Sequence, residues 1–168
     1  MTTVRPEQTE DVAAVRQVNE RAFETPAEAR LVDLLRGRGK LIVSLVAHVS
    51  DHIVGHIAFS PVHLDSSPAL RGLGLGPMAV LPDMQNKGIG SLLVQAGLEH
   101  CRALACDYVV LVGHPEYYPR FGFVPARRFG LSTTWELPEG VFMTLELKPR
   151  VLDGSGGLVT YEPEFNDV

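Results

Sequence analysis

The chain is short of cysteine, of positive charge and of long apolar runs, and each shortage removes a class of function. Cys101 and Cys106 are the only cysteines in 168 residues. Their spacing fits no zinc or redox motif, so two reduced structural thiols are expected. Lys and Arg number 15 against 20 Asp and Glu, giving a formal net charge of -5. Binding along a nucleic-acid backbone needs a clustered excess of cations, so no nucleic-acid partner is expected. An anionic cofactor is not excluded, because it responds to the local field. No run of about 18 apolar residues occurs, so no membrane partner or span is expected. The start, Met1-Thr2-Thr3-Val4-Arg5-Pro6, has no apolar signal core, and the cytoplasm is the default location. No repeat, low-complexity tract or linker divides the chain. One domain over residues 1–168 is expected, with 150–168 as a Gly- and acid-rich segment wrapping its surface.

What remains is an ordinary globular composition, 45% apolar and 21% charged, with a readable order of elements. Thr2 to Arg5 reads as a short strand. Val12, Val15, Val18 and Phe23 recur at helical spacing over Gln8 to Phe23, with Thr9 and Asp11 available as caps. A second helix is expected over Thr25 to Arg36, where Thr25, Pro26 and Glu28 suit the N-cap, the first turn and a capping box. Gly37 and Gly39 end it. Leu41 to Val49 and Ile53 to Val62, joined by Ser50-Asp51-His52, read as an antiparallel hairpin. Gly72 to Leu81 is a third strand-like run. Gly88 to Ala105 is the clearest helix, with Ile89, Leu92, Leu93 and Ala96 on one side and Leu104 two turns on. Tyr108 to Val112 reads as a strand buried on both faces. A helical turn at Glu116 to Arg120 and a strand at Phe142 to Leu147 follow. This order implies an α/β fold: a mixed sheet with helices on both faces. His48, His52 and His56 are four apart but lie on strands and a turn, where that spacing gives no common face. No metal site is expected.

The chemistry concentrates in Met78-Ala79-Val80-Leu81-Pro82-Asp83-Met84-Gln85-Asn86-Lys87-Gly88-Ile89-Gly90-Ser91. An apolar strand ends, a polar loop follows and a long amphipathic helix opens. Amides at a helix start have no partner inside the helix, and the dipole adds partial positive charge there, so phosphate oxygens are favoured. Gly88 and Gly90 let the backbone approach a diphosphate closely, and Lys87 adds a cation. The dinucleotide fingerprint fails, because Leu93 occupies its third glycine position, and no stretch fits the P-loop pattern.

The longer pattern resembles the acetyl-CoA motif of the GNAT superfamily of N-acetyltransferases, in which Q/R-x-x-G-x-G/A follows a strand. Gln85, Gly88 and Gly90 fill its fixed positions. Tyr117-Tyr118-Pro119-Arg120-Phe121-Gly122-Phe123 resembles the superfamily's later Y-x-x-x-G-F element, and the wording from Gly113 to Phe123 is similar to the YhbS-like branch. The resemblance implies a mostly antiparallel twisted sheet, splayed between its fourth and fifth strands. It implies acetyl-CoA as co-substrate, with Gln85, Asn86, Lys87, Gly88, Ile89, Gly90 and Ser91 around the diphosphate and Met78, Ala79 and Val80 along the pantetheine arm. It also implies an amine acceptor, small molecule or peptide, and Tyr118 as the acid that protonates the departing thiolate.

Two points stay open in the sequence. Many members carry an acid on the strand before the apolar triplet, but Gly72 to Gly76 offers none, leaving Glu28, His56, His63, His114 and Glu116 as candidate bases. The acceptor would meet regions holding Phe23, Glu24, Thr25, Trp135 and Glu136, and Trp135 could either wall that pocket or cap the core. Alternative functions are a non-catalytic acetyl-CoA sensor, a nucleotide-binding module and a protein-lysine or N-terminal acetyltransferase. Oligomeric state is also open, a homodimer being the commonest soluble arrangement.

Overall fold

Alternating apolar residues build the hairpin at the centre of the chain. In the computed structural model, which describes residues 1–167, strand β2 (Val43–Val49) buries Val43, Leu45, Val46 and Ala47. It runs antiparallel to β3 (His52–Leu64), with a register shift at Ala47/His48. The turn between them places Ser50 at φ +53°. The chain divides into two compact units, Met1–Ser60 with Gly76–His100 and Pro163–Val168, and Pro61–Leu75 with Cys101–Glu162. Three elements continue from one unit into the other: β3, β4 (Gly72–Val80) and α3 (Ile89–Ala103).

In the first unit, β1 (Thr2–Pro6) pairs antiparallel with β2. Helix α1 (Val12–Ala22) follows a 3-10 turn at Thr9–Asp11 and buries Val15 and Val18, as their spacing implies. Asp11 organises this start: its Oδ2 accepts the Gln8 N–H and an Arg5 guanidinium N–H, each at 2.7 Å. The Arg5 hydrogen bond outweighs burial and lowers the carboxyl below its ordinary range. Helix α2 (Ala27–Gly37) buries Ala29, Leu31, Val32 and Leu35. Thr25 Oγ1 accepts the Ala27 N–H at 3.3 Å. The expected N-cap is off by one: Pro26, not Thr25, caps the helix with no side-chain cap bond, and a proline N-cap has no N–H, so the capping box with Glu28 does not form. Gly39, at φ +71°, turns the chain back so that the Lys40 N–H reaches Leu35 O at 2.8 Å.

Helix α3 begins at Ile89 and buries Ile89, Leu93, Val94 and Leu98 in this unit. The apolar side read from the sequence needs correction here. Leu92 is 42% exposed, and Leu104, 41% exposed, lies beyond the helix end. A 3.6-residue period places Val94 and Leu98, not Leu92, beside Leu93 on the inward face. Two glycines let elements close up. A Cβ on Gly55 would lie 3.0 Å from Leu93 Cδ1 and 3.3 Å from Ala79 O, and one on Gly97 would strike the Phe59 ring.

In the second unit, β5 (Tyr108–Val112) is buried from Tyr108 to Leu111, as a continuous apolar run implies. The start of β4 pairs parallel with β5, Gly72–Gly74 against Tyr108–Val110. The expected parting of the fourth and fifth strands shows in this register, which takes three of the nine residues of β4. Strand β8 (Phe142–Glu146) runs antiparallel to β5, and β6 (Val124–Pro125) to β8. Strands β7 (Leu131–Thr133) and β9 (Gly157–Tyr161) pair in parallel, and β9 pairs antiparallel with Val62–Leu64 of β3. The C-terminal segment thus supplies a strand, and Leu152 and Val159 are fully buried. Cys101 and Cys106 are free and buried, and burial pushes the Cys101 thiol up to about 12.

Candidate functional site

The loop from β4 into α3 is shaped by two residues in the left-handed region, Asn86 at φ +62° and Gly88 at φ +82°. Asn tolerates that conformation and Gly adopts it without cost, whereas other residues are strained there. The loop is anchored on both sides. Gln85 Nε2 donates to Val80 O at 3.0 Å, and the Leu81 N–H donates to Val54 O at 2.9 Å, extending the β4 side of the ladder. A 3-10 turn at Pro82–Met84 closes with the Met84 N–H on Leu81 O at 2.8 Å. The first hydrogen bond of α3 runs from the Leu92 N–H to Gly88 O at 3.1 Å, so the helix opens where the motif predicts.

Gln85, Asn86, Lys87 and Gly88 are exposed, Gly90 and Ser91 half-buried, and Ile89 buried against the unit's core. Apart from its chain neighbours, no atom of the described residues lies within 4 Å of a Cβ built on Gly88. The glycine therefore serves backbone shape and leaves open space beside the helix start, the cradle an anionic group requires. Alternation along β4 leaves Met78 and Val80 half-buried on one face and turns Ala79, 2% exposed, to the other.

Tyr118 lies in the second unit, in a 3-10 turn at Tyr118–Phe121. Its ring is set edge-on to Tyr117 at 5.1 Å and to Phe123 at 5.9 Å, and Phe121 stands 6.3 Å away. Burial, with a smaller contribution from Tyr117, pushes the phenol up to about 12. It is thus fully protonated at neutral pH and offers a proton rather than a negative charge. Sequence reading missed the residue that seats this ring: a Cβ on Gly113 would lie 2.5 Å from Tyr118 Cε2. Arg120 stacks over Tyr117 at 4.3 Å and bonds its carbonyl at 2.7 Å, holding the turn together.

The candidate bases separate sharply. His56 is completely buried in β3. Asn19 Nδ2 donates to its Nδ1 at 3.2 Å, so its Nε2–H donates to Ser44 Oγ at 2.8 Å. Burial, and then the charge of Arg36, lower it to about 3. With both nitrogens engaged and no exposure, it is a neutral strut of the core. His63 is exposed beside Glu162 at 3.4 Å, and His114 and Glu116 are exposed in the turn before Tyr118. Glu28 alone combines partial burial with an unpartnered oxygen. The missing strand acid has a structural counterpart, because aromatic rings fill the face of β4 where its side chain would stand. Cβ atoms on Gly72 and Gly74 would strike Tyr108 and Tyr161. Trp135 packs on Tyr161 with ring centres 4.6 Å apart, and lines a pocket of about 250 Å³ with Leu131, Thr133 and Phe142. Among the described residues, no group of three His, Cys, Asp or Glu is placed to hold a metal ion.

The model of the Acetyltransferase (GNAT) family matches residues 12–123. The chain is 35% identical over 157 residues to the N-acetyltransferase YhbS of Escherichia coli K12, covering 93% of each. It is also 35% identical over 155 residues to the N-acetyltransferase YjhQ of the same strain, covering 86% of this chain and 84% of that one. The crystal structure of Escherichia coli YhbS in complex with CoA matches with a TM-score of 0.94 at 34% identity, over 98% of this chain and 92% of that one. A GNAT acetyltransferase from Brucella melitensis in complex with acetyl-CoA matches with a TM-score of 0.81 at 35% identity, over 98% of both.

Proposed function

The chain belongs to the acetyltransferase (GNAT) family, and we propose that it transfers an acetyl group from acetyl-CoA to a primary amine by direct attack in a ternary complex. The observation that carries this reading is the loop at Gln85–Ser91, where left-handed Asn86 and Gly88 open an unobstructed cradle at the start of α3. The amides from Asn86 to Ser91 hold the diphosphate, assisted by Lys87 and the helix dipole. Gln85 locks the loop to β4 through Val80 O. Met78, Ala79 and Val80 offer strand backbone to the amide-rich pantetheine arm, and an N–H near Val80 polarises the thioester carbonyl.

The reaction needs no covalent enzyme intermediate. The neutral amine attacks the thioester carbon, a C–N bond forms, and the C–S bond breaks as the tetrahedral adduct collapses. The nitrogen sheds one proton and keeps the other as the amide N–H, and Tyr118 supplies one to the departing sulfur, regaining it from water. Most of the acceleration comes from holding amine and thioester in contact. We assign this work to a single catalytic domain over residues 1–168, acting in the cytoplasm on small-molecule or peptide amines. Among the described residues no helix is long and apolar enough to cross a membrane.

Calorimetry with acetyl-CoA tests the reading. Wild type should bind, and Gly88→Trp should fold, as judged by its melting curve, but not bind. A folded wild type that ignores acetyl-CoA would sink the proposal. Binding without thiol release from any amine would instead favour a sensor of acetyl-CoA on the same fold.

A further inference from the structure

Trp135, the only tryptophan in the chain, is half-buried and walls the pocket of about 250 Å³ in the second unit. This wall is braced from behind. The indole packs on Tyr161, with ring centres 4.6 Å apart. Tyr161 is itself buried and seated on the bare backbone of Gly74, where a Cβ would lie 2.6 Å from its Cε2. Pro125, Leu131, Leu137 and Phe142 complete an apolar lining. A concave apolar surface held by packed rings is already shaped for a ligand, so filling it costs little ordering.

Size and charge define what fits. Whole small-molecule ligands occupy about 300–1,000 Å³, so this pocket takes one ring and not an entire acceptor. Among the described residues, Arg127 and Glu139 are the only charged groups that line it, and they pair with each other. Both are exposed, so the pair adds little stability. It does leave the pocket without an unpaired carboxylate to hold an ammonium. A charged nitrogen therefore stays outside, and an apolar group goes in. The pocket also borders the segment that carries Tyr118. Phe142 stands opposite Val112 in the β5–β8 register. The Gly113 N–H donates to Val141 O at 3.0 Å, and a Cβ on Gly140 would lie 4.0 Å from Pro115 Cβ. Gly113 seats the Tyr118 ring, and Pro115 belongs to the turn in which the Tyr118 N–H donates to His114 O at 3.3 Å. We infer that the pocket receives an apolar ring of the acceptor while the amine stays outside it on the Tyr118 side, so that the substrate is an amine carrying such a ring and not a polyamine. The inference rests on the acetyltransferase reading and adds a substrate class to it.

A sole tryptophan in the wall makes the pocket its own reporter. Phenethylamine should shift Trp135 emission saturably, whereas ethylamine and spermidine should not. In amine-dependent thiol release, kcat/KM for phenethylamine should exceed that for ethylamine about 10–100-fold, the gain from burying one ring. Two variants test the lining, with melting curves and acetyl-CoA calorimetry to show that each is folded. Trp135→Ala removes the wall. Leu137→Ser, in the loop between β7 and β8, keeps the indole on Tyr161 and makes the lining polar. In both, the advantage of phenethylamine over ethylamine should shrink about tenfold or more. Wild-type emission that phenethylamine does not move, or a folded Leu137→Ser variant that keeps the full preference, would overturn the inference. Wild type that binds acetyl-CoA and shows saturable emission, yet acetylates neither amine, would overturn the transfer reading and with it the pocket's role toward the acceptor. The two failures are distinguishable, because emission is read without acetyl-CoA and without turnover.

Discussion

The ring of Tyr118 occupies the space that the missing side chain of Gly113 leaves open, with Cε2 2.5 Å from where a Cβ would stand. Real Cβ contacts do not come that close, so the ring can keep its position only while residue 113 is glycine.

Gly113→Ala should therefore act through Tyr118. Thiol release should fall toward the level of Tyr118→Phe, about 100-fold or more below wild type, while calorimetric affinity for acetyl-CoA is preserved in both variants. If Tyr118→Phe turns over like wild type, the tyrosine is a packing residue and the proton comes from elsewhere.

The loop ahead of α3 makes a paired prediction. Gly88, at φ +82°, should not accept alanine, since the left-handed conformation costs a Cβ-bearing residue about 1–2 kcal/mol. Affinity for acetyl-CoA should drop about tenfold, equivalent to about 1.4 kcal/mol. Asn86→Gly, at φ +62°, relieves a similar conformation and should leave the melting temperature within a degree or so of wild type.

Acid should unlock the end of the first unit. Glu164 is buried, with Arg38 Nη1 at 2.8 Å and Lys40 Nζ at 2.9 Å, and these partners hold its carboxyl down to about 2. The unfolded chain takes up this proton near the ordinary glutamate value and the folded chain only near pH 2. The stabilisation is therefore complete above about pH 4.5 and is lost as pH falls toward 2. Urea midpoints followed from pH 6 to 3 should fall less steeply in Glu164→Gln. Asp11, lowered chiefly by Arg5, should keep part of the slope.

His56 sets a second, higher limb. Burial lowers its imidazole to about 3, whereas the unfolded chain protonates near 6.5. The unfolded state binds more protons between those values, so stability should decline as pH drops from about 6.5. His56→Gln should flatten the curve between about pH 6.5 and 4.5. At pH 7 it should cost about 1–3 kcal/mol through the contacts to Ser44 and Asn19. A variant with an unchanged upper limb would show that His56 is not the group responsible.

Long, periodic segments were legible in the sequence. Apolar spacing located α1 and α3, cap and end residues located α2, a wealth of β-branched and apolar residues located the β2–β3 hairpin, and the phosphate motif fell on the start of α3. The parts that escaped depend on partners distant in the chain. Strands β6 and β7 are two and three residues long, and β9 sits in a Gly- and acid-rich stretch. These exist because β8, β3 and each other supply hydrogen bonds, not because of local preference. Leu92 was misplaced because apolar character alone does not say which side of a helix meets the core. Glu28 fitted a capping box by spacing from Thr25, yet the helix is capped at Pro26, which has no N–H to offer. Gly113 and Gly55 carry no local signal at all, since what they accommodate comes from another element.

The rings lying over β4 tie together positions that are far apart in the chain. A Cβ on Gly74 would stand 2.6 Å from Cε2 of Tyr161, and one on Gly72 equally close to Cε2 of Tyr108. Neither glycine can drift by itself, because any replacement must evict a ring, and neither tyrosine can shrink without leaving a hole on a glycine face. Over evolutionary time each pair should change hands together: relatives that carry a side chain, an acid included, on this face of β4 should be those that lack the aromatic ring above it.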